Sequence, residues 1–163
     1  MSRPTLSRTP VIILSGIAMV AIGFCFSLVA PVIDGELLDM IWSGPAAEAR
    51  LAEMDADART AHFWTTLIID TAYPLAYGAF LAGLAARFAP LRFARLAMIP
   101  AFLIVLLDLA ENTVQMIALQ DAGNYLWLKT YLTPAKFGMF AFAVLLAGVL
   151  GLVSLARFAL RNR

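Results

Sequence analysis

The sequence predicts an all-α polytopic membrane protein. It should have four transmembrane helices and a short extracytoplasmic amphipathic helix between the first and second. Three observations carry this. Of 163 residues, 62% are hydrophobic and only 14% are charged, which is too apolar for a soluble domain of this size. Apolar runs at about 11–32, 63–88, 93–119 and 134–158 each reach the roughly 20 residues needed to cross a hydrocarbon core. Finally, arginines gather at both termini and between the second and third runs, while the other two connections carry acids. The positive-inside bias then places both termini in the cytoplasm. The whole chain forms a single membrane domain, and its economy suggests a bacterial inner membrane.

Residues 11–32 are uncharged and read as an uncleaved helix. The alternative, a signal peptide cut after Ala30, would have Leu28 at −3 and Pro31 following, a poor site. Gly16, Gly23 and Ser27 fall on one face and permit close packing. Cys25 reads as a buried filler, and as the lone cysteine it excludes an internal disulfide and a Cys-x-x-Cys pair. The single histidine, His62, excludes a histidine-rich metal site and reads as an interface residue.

The loop at 33–62 has seven acids (Asp34, Glu36, Asp39, Glu48, Glu53, Asp55, Asp57) against Arg50 and Arg59. Ser43-Gly44-Pro45 is a break, and Ala46–Ala61 reads as one surface helix presenting Leu51 and Met54. Trp64 suits the interface. In the second run Thr66, Asp70, Tyr73, Pro74 and Tyr77 share a face. Pro74 has no N–H, so the Asp70 carbonyl loses its helical partner at a kink. Gly78 would let a neighbouring helix approach. Asp121–Asn124 reads as a turn, and Thr133-Pro134 as an N-cap followed by the first helical residue.

The third run holds the most informative pattern. Asp108, Glu111, Asn112 and Gln115 fall at i, i+3, i+4 and i+7, which places two carboxylates and two amides on one stripe. A charge at mid-membrane costs about 2.5–3.5 kcal/mol on insertion scales, so the stripe must face protein or a wet cavity. Towards the basic end that face continues as Ile104, Ala101 and Ala97, with no polar route across. Counting about 1.5 Å per residue puts Asp70, Glu111 and Asp108 roughly 11, 12 and 16 Å below the outer helix ends.

Lys136 sits near the outer start of the fourth run, against both the positive-inside bias and the helix dipole, so a compensating anion is expected. Asp70, Asp108 and Glu111 against Lys136 leave an excess of negative charge that needs a proton or a bound cation. Candidate ligand or cation-site residues are therefore Asp70, Tyr73, Tyr77, Asp108, Glu111, Asn112, Gln115 and Lys136. Asp70, Asp108 and Glu111 are the candidate metal ligands. With no Cys or His in the set, the divalent cation would be a hard one: Mg²⁺, Ca²⁺ or Mn²⁺.

Three classes of function stay open. The first is an outward-facing site for a cation or polar ligand. The second is a membrane-embedded enzyme acting on a lipid or isoprenoid phosphate, with a carboxylate as base and a metal or Lys136 neutralising phosphate. The third is a structural or accessory subunit whose polar core fixes helix packing. Expected partners are membrane lipids and no nucleic acid. A homo-oligomer and an accessory place in a complex are equally compatible with the pattern.

Asp70-x-x-Tyr73-Pro74-x-x-Tyr77-Gly78, Asp108-x-x-Glu111-Asn112 and Thr133-x-x-Lys136 are together similar to a pattern in small uncharacterised bacterial four-helix integral membrane proteins. The resemblance covers most of the chain after the acidic loop. It implies the four-helix fold and no activity.

Overall fold

The computed structural model describes residues 2–33 and 35–161. Asp34 of the acidic loop and Arg163 of the C-terminal arginine group lie outside the described residues, as do Met1 and Asn162. Among the described residues there are helices and turns and no strand. Four helical stretches are long and apolar enough to cross a membrane: Thr9–Ile33, Ala56–Phe88, Leu96–Leu119 and Leu126–Arg161. The fold is an all-α polytopic membrane bundle.

Helix α1 (Thr9–Ile33) fully buries only Ile33, half-buries one face and leaves the other exposed. It rests on the second span through its glycines: the rings of Phe80 and Tyr73 lie 3.1 and 3.5 Å from where Cβ atoms of Gly16 and Gly23 would stand. Ser27 takes no part, because its hydroxyl donates to the Phe24 carbonyl on the exposed side. Cys25 is half-buried rather than buried.

The surface helix expected over Ala46–Ala61 is two elements. Helix α2 (Gly44–Glu53) is capped by Ser43 Oγ, which accepts from the Ala46 N–H, and has Pro45 in its first turn. It stops where Met54 turns to extended backbone and buries its side chain. Asp55 then starts a new helix, with Oδ1 accepting from the Ala58 N–H at 2.8 Å. That helix, α3 (Ala56–Thr65), runs on through a π-helical turn (Thr66–Asp70) into α4 (Thr71–Phe88). Ala56–Ala61 thus belong to the second span. Good helix formers on both sides of Met54 conceal the break in the sequence.

Helix α5 (Ile99–Leu119) follows two 3-10 turns, Leu91–Phe93 and Leu96–Met98. Gly78 of α4 faces Val105 and lies near the Ala101 carbonyl, so a side chain there would push α4 and α5 apart. Helix α6 (Lys129–Arg161) has 33 residues and is about 50 Å long. Its start corrects the expected cap at Thr133. The 3-10 turn Leu126–Leu128 leads directly into the helix, so Thr133 and Pro134 both lie inside it. Pro134 forgoes one helical bond, to the Thr130 carbonyl. Lys129, Thr133 and Lys136 are buried on the same face of the helix.

The second and third spans are the most buried, the first and fourth the most lipid-facing. Apolar side chains pack in two layers. One gathers Leu81, Ala82, Met98, Ala101 and Ile104; the other gathers Leu38, Ala47, Met54, Val114, Leu119 and Leu126, and places α2 as a cap on the bundle's end. On α5 the polar stripe lies between Ile104 of one core and Ala118 of the other, so the polar residues form the layer between the two cores.

Candidate functional site

All four residues of the α5 stripe are buried. Glu111, Asn112 and Gln115 are fully so, and Asp108 is 4% exposed. Packing of α4 and α6 on that face brings together Asp70, Tyr73 and Tyr77 from the second span and Lys136 from the fourth. Two residues absent from the sequence-based set complete the cluster, Asp39 and Lys129.

Glu111 is the hub of a closed network. Its Oε1 accepts from Lys129 Nζ and from the Thr133 hydroxyl, and its Oε2 lies 2.8 Å from Lys136 Nζ. Lys129 and Glu111 are both wholly excluded from solvent, and Lys129 has no other polar partner among the described residues. Lys136 reaches further, donating to Asp39 Oδ1 and approaching Asp108 Oδ1 at 3.8 Å. Lys129 falls outside the site expected from the sequence because Pro134 marks the helix start there. Once the helix begins at Lys129, the residues Lys129, Thr133 and Lys136 fall at i, i+4 and i+7, a single face.

Asp39 arrives on a 3-10 turn, Leu38–Met40, that folds back over the bundle. The turn is fastened by His62, whose Nε2 accepts the Leu38 N–H at 3.1 Å. His62 is therefore a fully buried acceptor rather than an interface residue. It must carry its proton on Nδ1, since Nε2 is the acceptor. The one sequence signal for Asp39 is a lone acid within the apolar string Leu37–Trp42, whose Leu38 and Ile41 are buried.

Pro74 acts as its chemistry requires. The Asp70 carbonyl, deprived of a helical N–H, accepts from Asn112 Nδ2 at 2.9 Å. That oxygen is engaged in joining α4 to α5. The Asp70 carboxylate is different. It is 5% exposed and has no hydrogen bond or ion pair among the described residues. Asp108 has one firm partner, the Tyr77 hydroxyl, which donates to Oδ2 at 2.5 Å. Tyr77 packs edge-on against Tyr73 and Phe140.

A cavity of about 230 Å³ opens beside these groups, lined by Asp39, Asp70, Tyr73, Tyr77, Asp108 and Lys136, with Met40, Phe137 and Phe140. Carboxylate oxygens of Asp39, Asp70 and Asp108 all lie within 4.8 Å of one another. Three oxygens so spaced lie no more than about 2.8 Å from a common centre, so a small inward movement of the side chains brings all three to a Ca²⁺–O distance of about 2.3–2.6 Å. Glu111, Asn112 and Gln115 do not line the cavity. Glu111 is held by the two lysines and Thr133, so Asp39 stands in the place the sequence assigns to it. Gln115 is buried with neither amide atom partnered among the described residues.

Among the described residues, four carboxylates (Asp39, Asp70, Asp108, Glu111) meet two ammonium groups (Lys129, Lys136), an excess of two negative charges when all are ionised. The expected imbalance therefore persists with a different membership. No family model matches the chain, and neither a curated protein nor a solved structure does.

Proposed function

We propose that this chain is a cation-binding membrane protein whose site is formed by Asp39, Asp70 and Asp108. The observation that carries the reading is the Asp70 carboxylate: almost completely buried, unpartnered among the described residues, and grouped with two other carboxylates on a cavity. Burying such a group without compensation is costly, and a bound cation compensates it. All the ligand atoms are oxygens, which suits Mg²⁺, Ca²⁺ or Mn²⁺. Lys136 takes part by holding Asp39 in position rather than by binding the ion.

Polar glue accounts for Glu111 with its lysines, and for Asn112 on the Asp70 carbonyl. It leaves Asp70 without a purpose. The enzyme reading asks Lys136 to neutralise a substrate phosphate, but that ammonium already faces Glu111 and Asp39. Binding is therefore preferred to catalysis on a lipid or isoprenoid phosphate. Within this proposal the chain sits in a bacterial inner membrane, as its short, economical Ala-, Leu- and Arg-rich composition suggests. Both termini are then cytoplasmic and the cavity lies in the outer half of the bilayer, the placement that the positive-inside bias favours.

Thermal unfolding of the purified protein in detergent, with and without Mg²⁺, Ca²⁺ and Mn²⁺, tests the reading. At least one ion should raise the unfolding temperature in proportion to the logarithm of its concentration above Kd. Asp70→Asn should fold and lose that response. A wild type indifferent to all three ions overturns the proposal.

A further inference from the structure

A second feature lies at the opposite, arginine-rich end. Residues 1–33, 71–107 and 137–163 contain eight arginines and no Asp or Glu. The arginines there have no carboxylate side chain in those segments to pair with. Arg3 Nη1 donates to the carbonyls of Ala86 and Ala89 at the end of α4, at 2.6 and 3.3 Å, which ties the N-terminal segment down. Arg157 and Arg161, one helical turn apart on α6, have no partner among the described residues. These three arginines line one pocket of about 320 Å³ together with Phe88 and Ser154.

That pocket adjoins an apolar groove of about 680 Å³, with Phe88 lining both. The groove lies between α4 and α6 and follows α6 from Phe140 to Leu152, about 18 Å at 1.5 Å per residue. This is close to one leaflet's share of a hydrocarbon core of roughly 30 Å. Two glycines hollow it. A Cβ on Gly148 would meet nothing within 4 Å, and one on Gly151 would touch only the Phe88 ring, at 3.6 Å.

We infer that this end of the protein binds an anionic phospholipid, its phosphate against Arg157, Arg161 and Arg3 and one acyl chain in the groove between α4 and α6. Charge complementarity selects the headgroup: guanidinium groups with no Asp or Glu in their own segments match a phosphodiester, and basic pockets between membrane helices bind anionic lipid. The groove selects a lipid over a free anion, since a small phosphate compound leaves it uncovered. The far end of the chain rests against Tyr77 and Phe140, which also line the carboxylate cavity. The lipid therefore closes one flank of that cavity, whether or not a cation occupies it.

The test uses delipidated protein in detergent micelles, with unfolding temperature followed against added phosphatidylglycerol, phosphatidylcholine or glycerol 3-phosphate. Phosphatidylglycerol should stabilise at concentrations where the other two do nothing. In Arg157→Gln/Arg161→Gln the concentration giving half the effect should rise on the order of thirtyfold, from about 1 kcal/mol per arginine. Arg92→Gln/Arg95→Gln removes equal charge at the same end but outside the pocket, and should keep the response. Gly148→Leu fills the groove, should fold as well as wild type without lipid, and should lose the response. This variant carries the test alone if the arginine pair fails to fold. Equal stabilisation by phosphatidylcholine or glycerol 3-phosphate overturns the inference. So does an equal loss in the Arg92/Arg95 control, or a full response in Gly148→Leu.

Discussion

Removing Glu111 should be worse than removing either charge it holds, and removing its lysine as well should repair part of the damage. In Glu111→Gln, Lys129 keeps its ammonium but loses its only carboxylate partner among the described residues, in a place with no solvent contact. Breaking a buried pair by deleting one member costs about 3–5 kcal/mol, because the other charge is stranded. Glu111→Gln belongs at the upper end of that range, since Lys136 loses a contact at 2.8 Å too. Lys129→Met leaves Glu111 with Lys136 and the Thr133 hydroxyl, so its cost should fall at or below about 3 kcal/mol. The double variant Lys129→Met/Glu111→Gln has no stranded charge, because Lys136 retains Asp39 and Asp108. It should be more stable than Glu111→Gln alone by at least about 1 kcal/mol, an interaction of the size that contacting residues show. Reversible unfolding in mixed micelles, read by tryptophan fluorescence, measures all three. If the two changes simply add, or if Glu111→Gln lies within about 0.5 kcal/mol of wild type, the buried hub does not exist as described.

Other predictions rest on single contacts. His62→Phe removes the acceptor of a buried N–H and should cost about 1–3 kcal/mol, with faster amide exchange at Leu38 as the specific sign; unchanged exchange there would show that the Asp39 turn does not need His62. Pro74→Ala supplies an N–H that competes with Asn112 for the Asp70 carbonyl. The protein should still insert, the unfolding temperature should move little, and any cation response should weaken; a response identical to wild type would separate that carbonyl from the site. In a Cys25→Ala background, a cysteine at Ala49 should react with an impermeant maleimide from outside the cell and one at Pro90 should not. The reverse pattern would invert the proposed orientation.

The number and class of spans were legible in the sequence because they depend on short-range quantities. Hydropathy summed over about 20 residues marks a membrane helix whatever it packs against, and a 3.6-residue period marks which side chains share a face. The Asp108–Gln115 stripe, the Asp70 carbonyl freed by Pro74 and the close approach at Gly78 follow from such local rules, and the folded chain contains each of them. Partner choice is not local. Asp39 lies 97 residues from Lys136, and only the fold-back of the Leu38–Met40 turn sets them together. Lys129 precedes the fourth apolar run, and only the extension of helix α6 back past Pro134 turns it inward to Glu111. Because a carboxylate held by two ammonium groups is unavailable to an ion, that packing decides which acids form the network and which line the cavity. The groove between α4 and α6 is likewise a property of two helix surfaces set side by side, and no window along one strand of sequence contains it.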